Sequence, residues 1–219
     1  MNSPILQLLV LAGIAVFLIL RLKNVLGTRD GFEPPREVKS QSTQHRAPDL
    51  EVIEGGPDRD ILDHAEEGSA TALALASMKS AEPSFGVSDF LEGARGAYEM
   101  ILVNFEKGDL AAIKPFLGQE VYDTFIEVVE AREKQGLTIE SEFVGVREMN
   151  LASASFDPNT AEGEITVRFV GELTHVVRSK DGEILEGSES QIKRQKDAWT
   201  FARKMGENDP NWQLVATDE

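Results

Sequence analysis

Apolar residues recur with a helical period in the first part of the region that follows residue 70. Thr71–Met78 is rich in Ala and Leu and predicts a short helix. From Ser88, a predicted N-cap, to Lys107, apolar residues fall on one face of a 3.6-residue period. Further helices are predicted over 110–116 and between the glycines at 118 and 136. The pattern therefore places the helices of this region before its strands.

After residue 136 the period of the apolar positions changes to two, which is typical of strands with one buried face. Asp157–Thr160 and Ser179–Gly182 carry turn signals between these segments. Strands are predicted over 138–149, 165–177, 184–205 and 212–216.

Helices followed by long antiparallel strands indicate an α+β fold, with helices packed on a curved four-stranded sheet that forms a cone with an apolar mouth. Arg168 alternates with apolar neighbours and is expected to face solvent. Glycines within the strands are predicted to mark the bulges that bend them: Gly145, Gly163, Gly171 and Gly187.

Six aromatic residues of this region are core candidates by their spacing, and five of them are also candidates for the wall of an apolar pocket. Such a pocket would accept an acyl chain or an apolar peptide. The five pocket candidates are Phe90, Tyr98, Phe105, Trp199 and Phe201, and the sixth core candidate is Trp212.

The N-terminal segment Ile5–Leu20 is apolar on every face, and Gln7 is its one polar residue. As a helix it would span about 24 Å, and Arg21 and Lys23 can extend this reach towards the roughly 30 Å of a bilayer core. A cleaved signal peptide would need a basic start and a small-residue cleavage site, and neither is present. We predict a transmembrane anchor over 1–24, whose apolar residues are Ile5, Leu6, Leu8, Leu9, Val10, Leu11, Ile14, Val16, Phe17, Leu18, Ile19 and Leu20.

Basic side chains follow the predicted span and none precedes it: Arg21, Lys23 and Arg29 lie just after the anchor. Positive charge is retained on the cytoplasmic side of a membrane. The sequence therefore predicts a single-pass protein with its N-terminus outside and its C-terminal domain in the cytoplasm.

Residues 25–69 are predicted to form a flexible acidic linker, because charged residues, Pro and Gly predominate and large apolar residues are sparse. Leu50–Ile53 is a short apolar island that would suit a recognition segment or incidental docking. Asp58, Asp60 and Asp63 lack the remaining ligands of a calcium loop and are interpreted as solvated charges. The folded domain is expected over 70–219.

The composition of the chain argues against several classes of function. A net charge of −16 argues against nucleic-acid binding, and the absence of cysteine excludes disulfides, iron–sulfur clusters and cysteine-based zinc sites. No phosphate loop, dinucleotide fingerprint or metal-ligand spacing is present, so no cofactor is expected. His175 is the one histidine of the predicted domain and lacks a visible nucleophile or orienting partner. We therefore predict that the chain is not an enzyme, although a small-molecule isomerase or dehydratase remains the third alternative.

Several segments resemble the C-terminal domain of the mitochondrial inner-membrane translocase subunit 44 family: Phe90–Ile101, Phe105–Leu110, Trp199–Arg203 and Asp209–Thr217. The resemblance covers residues 72–217, and the whole chain with its anchor is similar to bacterial TimA-type members. It implies a nuclear-transport-factor-2-like cone and an adaptor role at the bacterial inner membrane, with a chaperone or a membrane complex as protein partner and no catalytic residues. A lipid-binding or apolar-peptide-binding module is the alternative. The sequence names neither the partner nor the oligomeric state.

Overall fold

The structure, a computed structural model, describes residues 58–218. Its helices come first along the chain, as the apolar period predicts. They are α1 Arg59–Leu62, α2 Ala70–Ala81, α3 Val87–Lys107, α4 Leu110–Ile113 and α5 Gln119–Lys134, with a 3-10 turn Lys114–Phe116 between α4 and α5.

Four strands follow and form one antiparallel sheet in the order β1-β2-β3-β4. They are β1 Thr138–Asp157, β2 Glu162–Arg178, β3 Ile184–Lys204 and β4 Gln213–Asp218. This order confirms the predicted α+β class with helices packed on an antiparallel sheet. The side chain of Arg168 is exposed, as predicted.

Strand β1 is longer than the predicted strand, which ended at Met149. Large apolar residues are fewer beyond this position, so the alternating pattern that indicates a strand is weaker there. Pairing with β2 continues nevertheless, through Leu151 opposite Val167 and Phe156 opposite Gly163. The extension is therefore imposed by the neighbouring strand rather than by local composition.

The predicted anchor over residues 1–24, most of the predicted linker and its apolar island Leu50–Ile53 lie outside the described residues. Within 58–218, no helix is both long enough and apolar enough to cross a membrane.

The folded part begins before residue 70, where the sequence analysis placed its boundary. Ile61 in α1 is 5% exposed. The ammonium of Lys79 on α2 lies 2.8 Å from a carboxylate oxygen of Asp58 and 2.7 Å from one of Asp60. The interpretation of Asp58 and Asp60 as solvated charges is thus wrong, because both are paired across elements. A helix of 4 residues leaves no periodic signal, which explains why it was missed.

The start of α3 differs from the prediction in a similar way. Gly86, not Ser88, is the N-cap residue, and it offers no side-chain hydrogen bond. Asp60 supplies the missing acceptor: its carboxylate accepts the N–H groups of Val87 at 2.7 Å and Ser88 at 2.9 Å. Helix N-termini carry unsatisfied N–H groups that favour an anion. A side chain of α1 therefore caps the N-terminus of α3, and we call this arrangement the Asp60 cap.

The core lies between α3 and the inner face of the sheet. Tyr98 is fully buried and stacks on Phe169 with ring centroids 4.4 Å apart, and Trp199 lies 4.7 Å away. Its hydroxyl donates to the buried carboxylate of Asp197 at 2.5 Å. Burial, followed by the proximity of Asp197, raises the pKa of Tyr98 well above its ordinary value, so the phenol remains a donor. This bond fixes the middle of α3 to the sheet.

The strand glycines have two roles rather than one. Gly145 lies at a register shift of β1, and Gly187 has a φ of +85° beside the register shifts of the β2–β3 pair. Both agree with the predicted bulges. Gly163 and Gly171 instead lie where a helix side chain approaches the sheet: an added Cβ would stand 3.0 Å from Met78 and 2.6 Å from Tyr98. For these two, close packing rather than bending is what requires glycine.

Candidate functional site

An open cleft of about 600 Å³ lies beside α3. Its walls come from four parts of the chain: the α2–α3 connection, one face of α3, the 3-10 turn, and the end of β3 with the loop before β4. The lining residues are Glu82, Ser84, Phe85, Gly86, Asp89, Phe90, Gly93, Ala94, Gly96, Ala97, Met100, Phe116, Phe201, Arg203, Pro210, Asn211 and Trp212.

Aromatic rings form the floor of the cleft. The indole of Trp212 packs edge-on against Phe90 with ring centroids 4.7 Å apart, and its ring is tilted by 44° against that of Phe85 at 5.9 Å. Phe201 meets Phe90 at 6.0 Å in an edge-to-face arrangement. Phe85, Phe90 and Phe201 are buried and Trp212 is half-buried, so the rings form a rigid apolar floor. The cleft is therefore suited to an apolar ligand.

One wall of the cleft is made of small residues. Gly93, Gly96 and Ala97 occupy the face of α3 that lines it. An added Cβ at Gly93 or Gly96 would meet nothing within 4 Å. Because glycine within a helix costs about 1 kcal/mol relative to alanine, this wall keeps space open at the expense of helix stability.

A buried ion pair closes the polar end of the cleft. The guanidinium of Arg203, whose side chain is 8% exposed, donates to Glu82 at 2.7 Å and lies 5.3 Å from the centre of the Trp212 ring. Glu82 also accepts the N–H of Gly206 at 2.9 Å. Burial alone would raise the pKa of Glu82, but the hydrogen bond and charge of Arg203 outweigh it and hold that pKa below its ordinary value. Glu82 is therefore ionised at neutral pH and neutralises Arg203.

Residues 71–219, which include this cleft, match the family described as the Tim44-like domain. The chain belongs to the Tim44-like domain family. Among curated proteins it is similar to the mitochondrial import inner membrane translocase subunit TIM44-1 of Arabidopsis thaliana, with 22% identity over 143 residues. That match covers 63% of this chain but 30% of the plant protein, so the chain spans less than a third of the relative's length.

Among solved structures, the chain is similar to the crystal structure of the intermembrane space region of the chloroplast protein ARC6. The two share 6% identity over 66% of this chain and 94% of that one, with a TM-score of 0.36. This likeness is too distant to support a comparison of function.

The Tim44-like domain brings together only part of the aromatic set that the sequence indicated. Phe90 and Phe201 line the cleft. Tyr98 and Trp199 belong to the core beside Phe169. Phe105 lies outside the cleft lining and packs against Phe125 and Arg132, at 4.3 and 4.5 Å.

Other parts of the cleft were not predicted from the sequence. Phe85 and Arg203 were not singled out, because nothing local connects a loop aromatic with a strand cation more than a hundred positions away. Gly93 and Gly96 did carry a signal, since two glycines inside an amphipathic helix indicate a packing or binding reason.

His175 lies away from the cleft. Its Nδ1 is 3.4 Å from a carboxylate oxygen of Glu106, and both side chains are largely buried. Neither lines the cleft, and its lining contains no histidine. Within residues 58–218, no group of three or more His, Asp or Glu residues is placed to hold a metal ion. The chemistry that the cleft offers is thus apolar contact with a few hydrogen-bonding groups.

Proposed function

We propose that this chain is a membrane-anchored, non-catalytic adaptor in protein translocation, whose Tim44-like domain binds a protein partner through the cleft beside α3. The open apolar cleft is the observation that carries this proposal. Membership of the Tim44-like family supports it, as does the translocase named in the relative from Arabidopsis thaliana.

The finer features of the proposal rest on the sequence. Ile5–Leu20 would anchor the chain in a bacterial inner membrane as in a TimA-type protein, with the domain in the cytoplasm. The linker after it would let the domain reach a chaperone or an inner-membrane complex. The aromatic floor also suits a second candidate function, the binding of a lipid chain.

Filling the cleft tests the proposed role directly. We expect Gly96→Leu to reduce partner capture at least tenfold, since the new side chain would occupy open space on the α3 wall. Folding should not suffer, because replacing a helix glycine stabilises the helix by up to about 1 kcal/mol. The measurement is crosslinking of the full chain in intact membranes, followed by affinity purification and identification of the captured protein.

Gly96→Ala is the matched control, because it changes the helix propensity similarly but fills little of the cleft. It should capture the partner like the unmodified chain. Equal capture by Gly96→Leu and Gly96→Ala would exclude the cleft as the adaptor surface. Loss of retained lipid without loss of any protein would favour the second candidate function.

The proposed orientation has its own test. We expect the combined substitutions Arg21→Glu, Lys23→Glu and Arg29→Glu to invert or mix the topology, because basic residues next to a span set its orientation. A reporter fused to the C-terminus, active only in the cytoplasm, should lose most of its signal. Lys39→Glu with Arg46→Glu, more distant from the span, should leave the signal unchanged. A cytoplasmic reporter in the triple variant would contradict the proposed role of these charges.

A further inference from the structure

The first half of β3 has one free edge. Strand β4 pairs with β3 from Ala198 to Ala202, so residues 184–196 have β2 on one side and, within 58–218, no strand on the other. This free edge is more than twice as long as β4, which has 6 residues. The N–H and C=O groups along such an edge are a template on which another strand can pair.

Both faces of this half of β3 are open to solvent. Every residue from 184 to 194 is exposed except Ser188, whereas the second half of the strand buries Trp199 and Phe201. The exposed half carries three large apolar side chains: Ile184 at 50% exposed, Leu185 at 39% and Ile192 at 53%. A lone exposed apolar residue is ordinary, but a group of them on one unpaired edge indicates a contact surface.

A bulge divides the free edge into two flanks. In the pairing with β2, His175 faces Ser188 but Leu173 faces Lys193, so Thr174 alone stands opposite residues 189–192. Such a bulge interrupts the ladder on the free side as well, which leaves the residues on either side of it for pairing. We call residues 183–188 the first flank and residues 193–196 the second flank.

The two flanks carry opposite charges. The first has Glu183 and Glu186, and the second has Lys193 and Lys196. All four side chains are exposed, and none makes an ion pair with another residue of 58–218. Arg194, also on the second flank, is already paired with a carboxylate of β2 at 3.0 Å. The other charges of the flanks are therefore available to a partner.

This order of charges is complementary to itself when two copies of β3 run antiparallel. A two-fold axis through the bulge places the first flank of each copy opposite the second flank of the other, so the attraction occurs twice. Glu186 and Lys193 also project on the same face of the sheet, because their β2 partners, Val177 and Leu173, are an even number of positions apart. A parallel arrangement would instead bring like charges together.

We propose that the free edge of β3 is the surface on which a second copy of this chain binds, by antiparallel pairing of the flanks across a two-fold axis. Ile184, Leu185 and Ile192 are withdrawn from water in this pairing, and the open backbone groups gain hydrogen bonds. The surface shares no residue with the lining of the cleft. Each copy therefore keeps its cleft, and an assembly with two clefts holds a partner with two sites more tightly than one chain does.

A single cysteine near the axis tests the pairing in intact membranes. The unmodified chain has no cysteine, so Ser190→Cys in the full chain reports contact between two copies as a disulfide formed under mild oxidation. Ser155→Cys is the matched control, because it makes the same change at an exposed position of β1. We expect the yield of disulfide-linked dimer to be at least about fivefold higher for Ser190→Cys than for Ser155→Cys.

Charge variants added to Ser190→Cys assign the contact to the flanks. Lys193→Glu with Lys196→Glu makes both flanks negative, and Glu183→Lys with Glu186→Lys makes both positive. Each variant alone is expected to lower the dimer yield about fivefold, because like charges then stand opposite each other. Mixed in one membrane and distinguished by tags of different size, the two variants should crosslink to each other with the yield of Ser190→Cys alone.

The inference is overturned if the mixed variants crosslink no better than either alone, since charge complementarity would then play no part. It is also overturned if Ser190→Cys and Ser155→Cys give equal yields, which would reflect chance collision in the membrane. A Ser190→Cys chain joined to a different protein and not to its own copy would equally overturn it, because the edge then has another occupant. None of these results bears on the cleft, which Gly96→Leu tests separately.

Discussion

Gly171→Ala is expected to lower the free energy of unfolding of the Tim44-like domain by about 1–3 kcal/mol, an effect typical of overpacking a rigid core. The added Cβ would lie 2.6 Å from the hydroxyl oxygen of Tyr98 and 3.0 Å from its ring. Tyr98 cannot move aside, since it is stacked on Phe169 and bonded to Asp197. Denaturant unfolding followed by circular dichroism measures the loss.

Gly145→Ala is the matched control, because its added Cβ would meet nothing within 4 Å. We expect it to change stability by less than about 1 kcal/mol. Combining Gly171→Ala with Tyr98→Phe should give a smaller loss than the sum of the single losses, because the closest clash involves the hydroxyl. The expected clash would be absent if Gly171→Ala and Gly145→Ala unfolded at the same denaturant concentration. In that case the sheet and α3 would have moved apart without loss of folding stability.

Asp60→Ala is expected to destabilise the domain by about 2–4 kcal/mol, since it removes a helix cap and a partly buried ion pair together. The N–H groups of Val87 and Ser88 lose their acceptor, and Lys79 loses one of its two carboxylate partners. Thermal and denaturant unfolding measure the effect. Asp63→Ala, at an exposed position that follows the same short helix, serves as the control and should be nearly neutral.

The contribution of Asp60 should disappear in acid. Burial alone would raise the pKa of Asp60, but Lys79, Ser88 and the N–H group of Val87 outweigh it and hold that pKa well below its usual range. A lowered pKa stabilises the fold above the unfolded-state pKa of about 3.9, and this stabilisation is lost as pH falls below it. The gap between the unmodified chain and Asp60→Ala should thus be constant at neutral pH and narrow below about pH 4. A gap that stays constant into strong acid would rule out the ionised cap.

The Asp60 cap also adjoins the lining of the cleft. The Asp60 cap holds α1 to the N-terminus of α3, and Gly86 and Asp89 of the cleft lining lie on that same turn. Loss of the cap is therefore expected to weaken the cleft as well as the domain.

Much of the fold could be predicted from the chain because its signals are local. The change of apolar period near residue 136 separates the helices from the strands. The turn signals at 157–160 and 179–182 join consecutive strands, and these strands pair with each other in the sheet. Side-chain periodicity reports only which face of an element is buried, so it fixes the elements and their order but not what covers each face.

Fewer residues of the candidate site than of the fold could be predicted from the sequence. Phe90 and Phe201 are buried at the floor of the cleft, whereas Tyr98 and Trp199 carry the same sequence signal and are buried away from it. The inside of a core and the floor of a cleft demand the same residue types at the same spacing. Only the positions of the neighbouring elements separate the two cases.

The sequence by itself determined the α+β class, the acidic character and the absence of cysteine chemistry, since each depends on composition or on residues close together in the chain. Tertiary structure alone decided which carboxylate caps α3, why Gly171 must lack a side chain, and that Glu82 neutralises Arg203. These contacts join residues 27 to 121 positions apart (87 − 60 and 203 − 82). At such separations it is the packing of whole elements, rather than any local preference, that chooses the partners.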